Sequence, residues 1–221
     1  MRNLVYYVAS SLDGFIADPA GNFSAFPQHT ATLTALFERY PETCPTHLRS
    51  TFNVRERSRR FGTVVMGHRT FLPALEAGLP HGAYPHLRQV VVTHRRLPQS
   101  MGLHVISSDV AAAVQHLKDT AEEDIWLCGG GHLASQLIDL IDEIQVKLNP
   151  VILGSGIPLL PLEEGPRSFT LVEAEVLPGG VSLLTYRPPR EPSPGSHGTI
   201  GTTRRTSTAP ASGSMRVHGS S

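Results

Sequence analysis

Cysteine is scarce in this chain of 221 residues, which contains only Cys44 and Cys128. Two cysteines cannot build the disulfide framework of a small secreted domain. They form no Cys-x-x-Cys pair, and the eleven histidines show no spacing typical of zinc ligands. We therefore predict no metal site.

Charge of one sign and long hydrophobic runs are also lacking. The 19 Lys and Arg residues balance the 19 Asp and Glu residues, so nothing points to nucleic acid or to a membrane surface as a partner. No segment reaches the roughly 18 consecutive apolar residues of a membrane-spanning helix. Residues 1–7 lack the longer apolar run and cleavage site of a signal peptide. We expect a cytoplasmic protein.

The last part of the chain, residues 188–221, has few large apolar residues and is dense in Pro, Gly, Ser and Thr. Such a segment cannot bury enough apolar surface to offset the entropy lost on ordering. We predict a folded domain over residues 1–187 and a disordered tail over residues 188–221.

Within the domain, short apolar runs alternate with segments of helical periodicity. Strands alternating with helices are typical of an α/β fold with a mostly parallel sheet, flanking helices and, here, an antiparallel C-terminal hairpin. The predicted strands are 3–9, 63–66, 89–93, 103–106, 124–128, 143–151, 169–177 and 181–186. The predicted helices are 30–39, 45–60, 70–77 with Pro73 in its first turn, 110–120 after an N-cap in 107–109, and 133–140.

Three adjacent glycines, Gly129, Gly130 and Gly131, follow the buried strand 124–128 and precede a helix. Glycine lets another group approach the backbone closely, and the free N–H groups of a helix start favour a phosphate. The run is neither the Gly-x-Gly-x-x-Gly fingerprint nor a Walker loop. A tight turn without a ligand is the alternative, but the pattern favours ligand approach.

Two other strand ends carry hydroxyl and cationic side chains. They are the segments 67–70 (Gly67, His68, Arg69, Thr70) and 93–95 (Thr93, His94, Arg95). In a parallel sheet these segments and the glycine run lie at the same edge, where ligands bind. Each loop alone is more typical of solvated cations. Together they predict a site for an extended dinucleotide, and the cations favour a 2′-phosphate, hence NADP over NAD.

Four segments occur in an order that resembles a known family: 11–17 (SLDGFIA), 65–70 (VMGHRT), 128–131 (CGGG) and 149–159 (NPVILGSGIPL). The chain resembles the dihydrofolate-reductase-like superfamily over roughly residues 3–187. Within it, the chain looks most like the C-terminal reductase domain of the bacterial riboflavin-biosynthesis deaminase/reductase. The deaminase domain is not seen, so we expect a stand-alone relative.

The resemblance implies a central sheet of about eight strands, NADPH as cofactor and a homodimer. It also implies roles for residues at matching positions. The nicotinamide would be lined by Ala9, Ile16 and Ala17. The phosphates would be met by Gly67, His68, Arg69, Thr70, Gly129, Gly130, Gly131, His132 and Leu133, and the adenosine end by Thr93, His94 and Arg95. Similar reductases commonly have Arg directly after the Met-Gly pair, where this chain has His68.

The predicted function is an NADPH-dependent reductase that transfers a hydride to a small pyrimidine- or pterin-like heterocycle. It is related to 5-amino-6-(5-phosphoribosylamino)uracil reductase. Dihydrofolate reductases carry a carboxylate on the first helix, whereas residues 28–33 contain none and the nearest acids are Glu38 and Glu42. Folate reduction is therefore a less favoured alternative, as is a non-catalytic module that binds a nucleotide or pteridine. No catalytic residue is identified, because Asp13 is better explained as a turn residue and Cys128 as a buried strand residue.

Overall fold

A computed structural model describes residues 1–97, 102–163 and 165–189, and residues 1–189 form one compact unit. Apart from Pro188 and Pro189, the predicted tail lies outside the described residues. Among the helices of the described part, none has the length and apolar content needed to cross a membrane.

Eight strands form the central sheet, and six of them run parallel in the order β5-β4-β3-β6-β1-β7, with β10 and β9 added antiparallel at one edge. A separate antiparallel ribbon pairs β2 with β8. The strand bounds are β1 Leu4–Ser10, β2 Phe15–Ala17, β3 Phe61–Gly67, β4 Arg88–Val92, β5 His104–Ile106, β6 Asp124–Gly129, β7 Glu143–Leu148, β8 Ile157–Pro158, β9 Thr170–Val176 and β10 Ser182–Arg187.

Helices cover both faces of this sheet. The helices are α1 Thr30–Arg39, α2 His68–Glu76, α3 Val110–Thr120 and α4 Gly131–Gln136. Apolar residues of α3 and α4 pack on one face and those of α1 and α2 on the other. Both sets of alternating side chains of β1 are therefore buried, Leu4 and Tyr6 on one face and Val5 and Tyr7 on the other. A parallel sheet that is covered on both faces needs strands that are apolar on both sides, as β1 is. The predicted α/β architecture is confirmed.

Several predicted elements were wrong in extent. Residues 45–60 form no α-helix but only a 3₁₀ turn at Thr46–Leu48, and Arg49 donates to the carbonyls of Pro41 and Glu56 to hold the stretch in an irregular conformation. Pro73 lies inside α2 and not in its first turn. The expected cap of α3 is absent, since Asp109 makes no side-chain cap bond. The helix after the glycine run is short, and residues 138–140 form a 3₁₀ turn instead.

The buried carboxylate of Glu143 in β7 is paired with two arginines. Glu143 is 2% exposed and accepts hydrogen bonds from Arg60 Nη1 at 2.8 Å and from Arg187 Nη2 at 2.8 Å. Burial alone would raise the pKa of Glu143, but the bonds from Arg60 and Arg187 outweigh it and hold that pKa below its usual range. The ionised carboxylate thus links the first residue of β7 to Arg60, which directly precedes β3, and to Arg187, the last residue of β10.

A second buried carboxylate, Glu42, ties the chain after α1 to the start of β3. Its side chain is fully buried and accepts three backbone N–H bonds, from Arg59 at 3.1 Å, Arg60 at 2.9 Å and Phe61 at 2.8 Å. These bonds satisfy main-chain donors that no strand partner reaches. They explain how the irregular stretch 45–60 is held without helix formation.

We predict that Glu42→Gln lowers the free energy of unfolding by about 2 kcal/mol, because the amide nitrogen would face a backbone donor and leave it unpaired. Urea unfolding followed by circular dichroism measures this loss. The control is Glu38→Gln on α1, where the side chain is exposed and no change is expected. Equal effects of the two substitutions would contradict the proposed role of Glu42.

Candidate functional site

The carboxyl ends of β3 and β6 meet at one edge of the sheet. A Cβ atom added to Gly67 would lie 3.9 Å from the carbonyl oxygen of Gly129 and 4.0 Å from the amide nitrogen of Gly130. Gly129 and Gly130 are joined by a cis peptide bond, and Gly129 has a φ of 148°. The glycine run and the segment that begins at Gly67 are thus brought together, as expected for neighbouring parallel strands.

The space beside Gly130 forms a small cradle, which we define by Gly130, Ile16 and Thr70. A Cβ atom on Gly130 would have only two neighbouring side chains, with Ile16 Cδ1 and Thr70 Oγ1 each 3.8 Å away. These are ordinary contact distances. The backbone of Gly130 is therefore open to close approach by a ligand between β2 and α2.

Gly131 differs from Gly130, because a side chain at Gly131 would overlap the protein's own backbone. A Cβ atom there would lie 2.2 Å from the carbonyl oxygen of Pro158 and 3.1 Å from that of Leu159. The missing side chain makes room for the protein's own backbone and not for a ligand. Of the next two residues, His132 is exposed, whereas Leu133 is only 7% exposed and belongs to the hydrophobic core.

The helix that best suits a phosphate is α2 and not α4. Helix α2 has nine residues, and its N-cap Gly67 has no side chain to cover the amides of the first turn. Helix α4 has only six residues. Because the helix dipole grows from aligned peptide units, the favourable positive end lies mainly at His68, Arg69 and Thr70.

The third predicted segment lies beside this turn. Burial lowers the pKa of His68, and the positive charge of Arg95 lowers it further, so the two strand-end loops interact electrostatically. His94 and Arg95 are exposed. Thr93 is 7% exposed, and its hydroxyl already accepts a hydrogen bond of 3.0 Å from the amide of Arg95. The cations are accessible, and Thr93 shapes the loop that carries them.

The residues expected at the nicotinamide lie on β1 and β2. Ala9 and Ile16 are partly exposed, whereas Ala17 is 6% exposed and its carbonyl oxygen would lie 2.1 Å from a Cβ atom on Gly156. Ala17 therefore serves mainly to pack β2 against the segment that leads into β8. Sequence patterns missed the β2–β8 ribbon because two or three paired residues leave no readable periodicity.

Hydrogen bonds to the Asp13 carboxylate hold the turn between β1 and β2. The Asp13 carboxylate accepts backbone bonds from Leu153 at 3.1 Å and Gly154 at 2.7 Å. Hydrogen bonding to Ser11 and to these amides lowers the pKa of Asp13. These contacts agree with the interpretation of Asp13 as a turn residue.

The profile of the RibD C-terminal domain family matches residues 2–183. The chain belongs to this family. Two curated relatives are uncharacterized proteins of Bacillus subtilis. YyaP is 31% identical over 83 residues, 37% of this chain and 44% of YyaP, so that match spans less than half of the relative. YwjB is 28% identical over 163 residues, 72% of this chain and 82% of YwjB.

Solved structures share the fold. A putative riboflavin biosynthesis protein from Shewanella is 24% identical with a TM-score of 0.62, covering 86% of this chain and 100% of that one. Dihydrofolate reductase from Enterococcus faecalis, complexed with NADP(H), is 15% identical with a TM-score of 0.56, covering 84% and 95%. A Thermotoga maritima deaminase/5-amino-6-(5-phosphoribosylamino)uracil reductase is 19% identical with a TM-score of 0.55, covering 85% and 56%. The dihydrofolate-reductase-like fold of this RibD C-terminal domain is thereby established.

The carboxylates on and just after α1 lie outside its first turn. The first turn of α1 contains no acidic residue, and Glu38 is exposed. The carboxylate of Glu42 is fully used by three backbone amides. In the described part of the chain, His, Cys, Asp and Glu are nowhere grouped in threes that could hold a metal ion.

We predict losses of stability of different size for alanine at two adjacent glycines. Gly131→Ala should lower the free energy of unfolding by about 1–3 kcal/mol, because its Cβ overlaps a backbone carbonyl that must shift. Gly130→Ala should lower it by less than about 1 kcal/mol, since its φ is −95° and its contacts are ordinary. Thermal unfolding of both variants measures the difference, and a larger loss at Gly130 would refute the assignment.

Proposed function

We propose that this protein is an NADPH-dependent reductase acting on a small pyrimidine- or pterin-like heterocycle. The observation that carries the proposal is the cradle at Gly130, open between Ile16 and Thr70 beside the uncapped start of α2. An accessible backbone next to a helix N-terminus suits a ligand that has both a flat ring and phosphates.

The residues present fit such a cofactor. The first-turn amides of α2, with the hydroxyl of Thr70 and the guanidinium of Arg69, would hold the diphosphate. His94 and Arg95, both exposed, would meet the adenosine phosphate. Ala9 and Ile16 would line the nicotinamide, which supplies a hydride when bound. The protein's own part is to orient the ring and exclude water.

The comparisons support the substrate class without defining the substrate. The structures of similar fold include a dihydrofolate reductase bound to NADP(H) and a uracil-derivative reductase. The absence of an acid in the first turn of α1 argues against folate. A pyrimidine or pterin-like ring is the better candidate. A non-catalytic module would use the same cradle, and only turnover separates it from a reductase.

We predict that NADPH binds with a dissociation constant below about 1 mM, the upper end of the usual range for enzyme substrates. Nicotinamide fluorescence measures this binding. Arg69→Gln should weaken binding about tenfold, because a charge-assisted phosphate contact is lost. The matched control is Arg88→Gln, an exposed arginine at the first residue of β4, at the opposite edge of the sheet.

Two outcomes would count against this proposal. If NADPH fails to bind at millimolar concentration, the cofactor site is wrong. If NADPH binds but is not consumed with a panel of uracil, 5,6-diaminouracil and pterin, the protein is better described as a binding module.

We also propose that the protein is a homodimer. The edge strand β9 exposes apolar side chains, with Leu171 50%, Val172 48% and Val176 78% exposed. An apolar groove of about 320 Å³ lies on the sheet nearby, with Leu148, Phe169 and Leu184 in its lining. Apolar surface of this kind on an open strand edge is typical of subunit contacts.

Light scattering should give twice the chain mass of 23.9 kDa. Val176→Lys should shift the protein toward monomer, because a charge would have to be buried in the contact. The control is Glu76→Lys, an exposed residue at the end of α2 and outside the edge strand β9. A monomeric parent protein would refute the dimer and leave the cofactor proposal standing.

A further inference from the structure

Lys147 places an ammonium group on the α1- and α2-covered face of the sheet. The residue lies near the carboxyl end of β7, in register with Ala9 of β1. Its Nζ atom lies 4.1 Å from the centre of the Tyr7 ring, which is itself 1% exposed. The amine therefore reaches back from its own strand position over the neighbouring strand.

No ion pair or hydrogen bond holds this Nζ atom among the described residues. Two other cations are paired: the buried Lys118 bonds Asp142 at 2.7 Å, and the partly exposed Arg60 bonds Glu143. Lys147 is itself partly exposed, and no carboxylate of the described residues pairs with it to offset the partial desolvation of its charge. The ring of Tyr7 offers only a cation–π contact.

The groups around the amine do not neutralise it. Tyr7 faces it from β1, Leu183 is its partner on β10, and Cys128 faces it from β6. The charged residue of α1 on this side, Arg39, is paired with Glu173 and Glu175 of β9. Burial lowers the pKa of Lys147 to about 8, and it raises the pKa of the Cys128 thiol to about 12. The amine is thus mostly protonated at neutral pH and can still release its proton.

The strand position of Lys147 borders the proposed reaction site. Ala9, its register partner, is one of the residues expected at the nicotinamide, and Cys128 directly precedes Gly129. Lys147 lies at the carboxyl end of β7, with β1 between β7 and β6.

We propose that Lys147 is the proton donor of the reduction, a role that rests on the proposed function. Hydride from NADPH adds to the carbon of a C=N or C=O bond, and the π electron pair moves to the heteroatom. The heteroatom takes a proton from Nζ, so that one N–H bond breaks and a new N–H or O–H bond forms. NADPH is oxidised to NADP⁺, the substrate is reduced, and the neutral amine regains a proton from water.

The chain has only two lysines, Lys118 and Lys147, which makes a direct test possible. Protein labelled with ¹³C at lysine Cε should show two signals by NMR, and Lys118→Arg assigns them. We expect the Lys147 signal to titrate near pH 8. In the presence of NADP⁺, at least one of uracil, 5,6-diaminouracil and pterin should shift it. Titration near the ordinary lysine value, or no shift with any of the three, overturns the proposal.

Activity gives the second readout. Lys147→Met should lower kcat for NADPH oxidation about 10²–10⁴-fold and remove the fall in kcat above pH 8, while the dissociation constant of NADPH stays within about twofold. Lys147→Arg keeps the charge but holds its proton too tightly, so its kcat should also fall. Lys118→Arg is the control with unchanged kcat, and thermal unfolding checks that each variant folds.

The outcomes separate the two proposals. Normal NADPH binding and turnover in Lys147→Met overturns the role of Lys147 and leaves the reductase assignment intact. Loss of NADPH binding in the parent protein overturns the reductase assignment and, with it, the role of Lys147.

Discussion

The candidate site depends on the close backbone packing of the segment around β8 against two other parts of the chain. Gly156 allows this segment to approach the carbonyl of Ala17, and Gly131 allows it to approach from the side of α4. The Tyr6 hydroxyl donates to the Leu159 carbonyl at 2.9 Å, and the Leu159 amide donates to the Gly14 carbonyl at 2.9 Å. The segment is therefore wedged between β2 and the glycine run, and it brings the side chain of Ile16 to Gly130.

The cradle thus has two sides built in different ways. The side formed by Ile16 requires contacts between residues more than a hundred positions apart in the chain. The side formed by Thr70 requires only that β3 ends at Gly67 and turns directly into α2. A change at Gly131 or Gly156 therefore acts on the site through packing, whereas a change in the first turn of α2 acts on it directly.

Much of the fold follows from local sequence patterns. The strands of the central sheet and the bounds of α1 could be predicted, because apolar residues recur there at the period of each element. The stretch 45–60 could not, since its conformation is held by the Glu42 carboxylate and by Arg49, which donates to the carbonyls of Pro41 and Glu56. These contacts join residues that no sequence period relates.

The site could be predicted in part. Glycine shows where a side chain would be in the way, but it does not show whether a ligand or the protein occupies the space, and this is why Gly130 and Gly131 looked equivalent. Lys147 left a signal that could have been found. In β7 the alternate residues Glu143, Gln145 and Lys147 are all polar, although a sheet covered on both faces should bury apolar residues there. Glu143 is explained by its arginines and Gln145 by its hydrogen bonds to Tyr40 and Glu143, so Lys147 is the residue of this set for which we propose a role at the site.

The proposed cofactor side and substrate side of the site are therefore constrained in different ways. The proposed cofactor half would use backbone amides, glycines and a helix start, and its contacts would be made by the main chain. The proposed substrate half would be defined by side chains. The first turn of α1 has no acid, Glu42 is bonded to backbone amides, and Lys147 has no ion pair among the described residues. One fold could in this way retain its cofactor site while the polar side chain that contacts the substrate changes. Here a lysine, and not a carboxylate, stands beside the strand ends where the ring would bind.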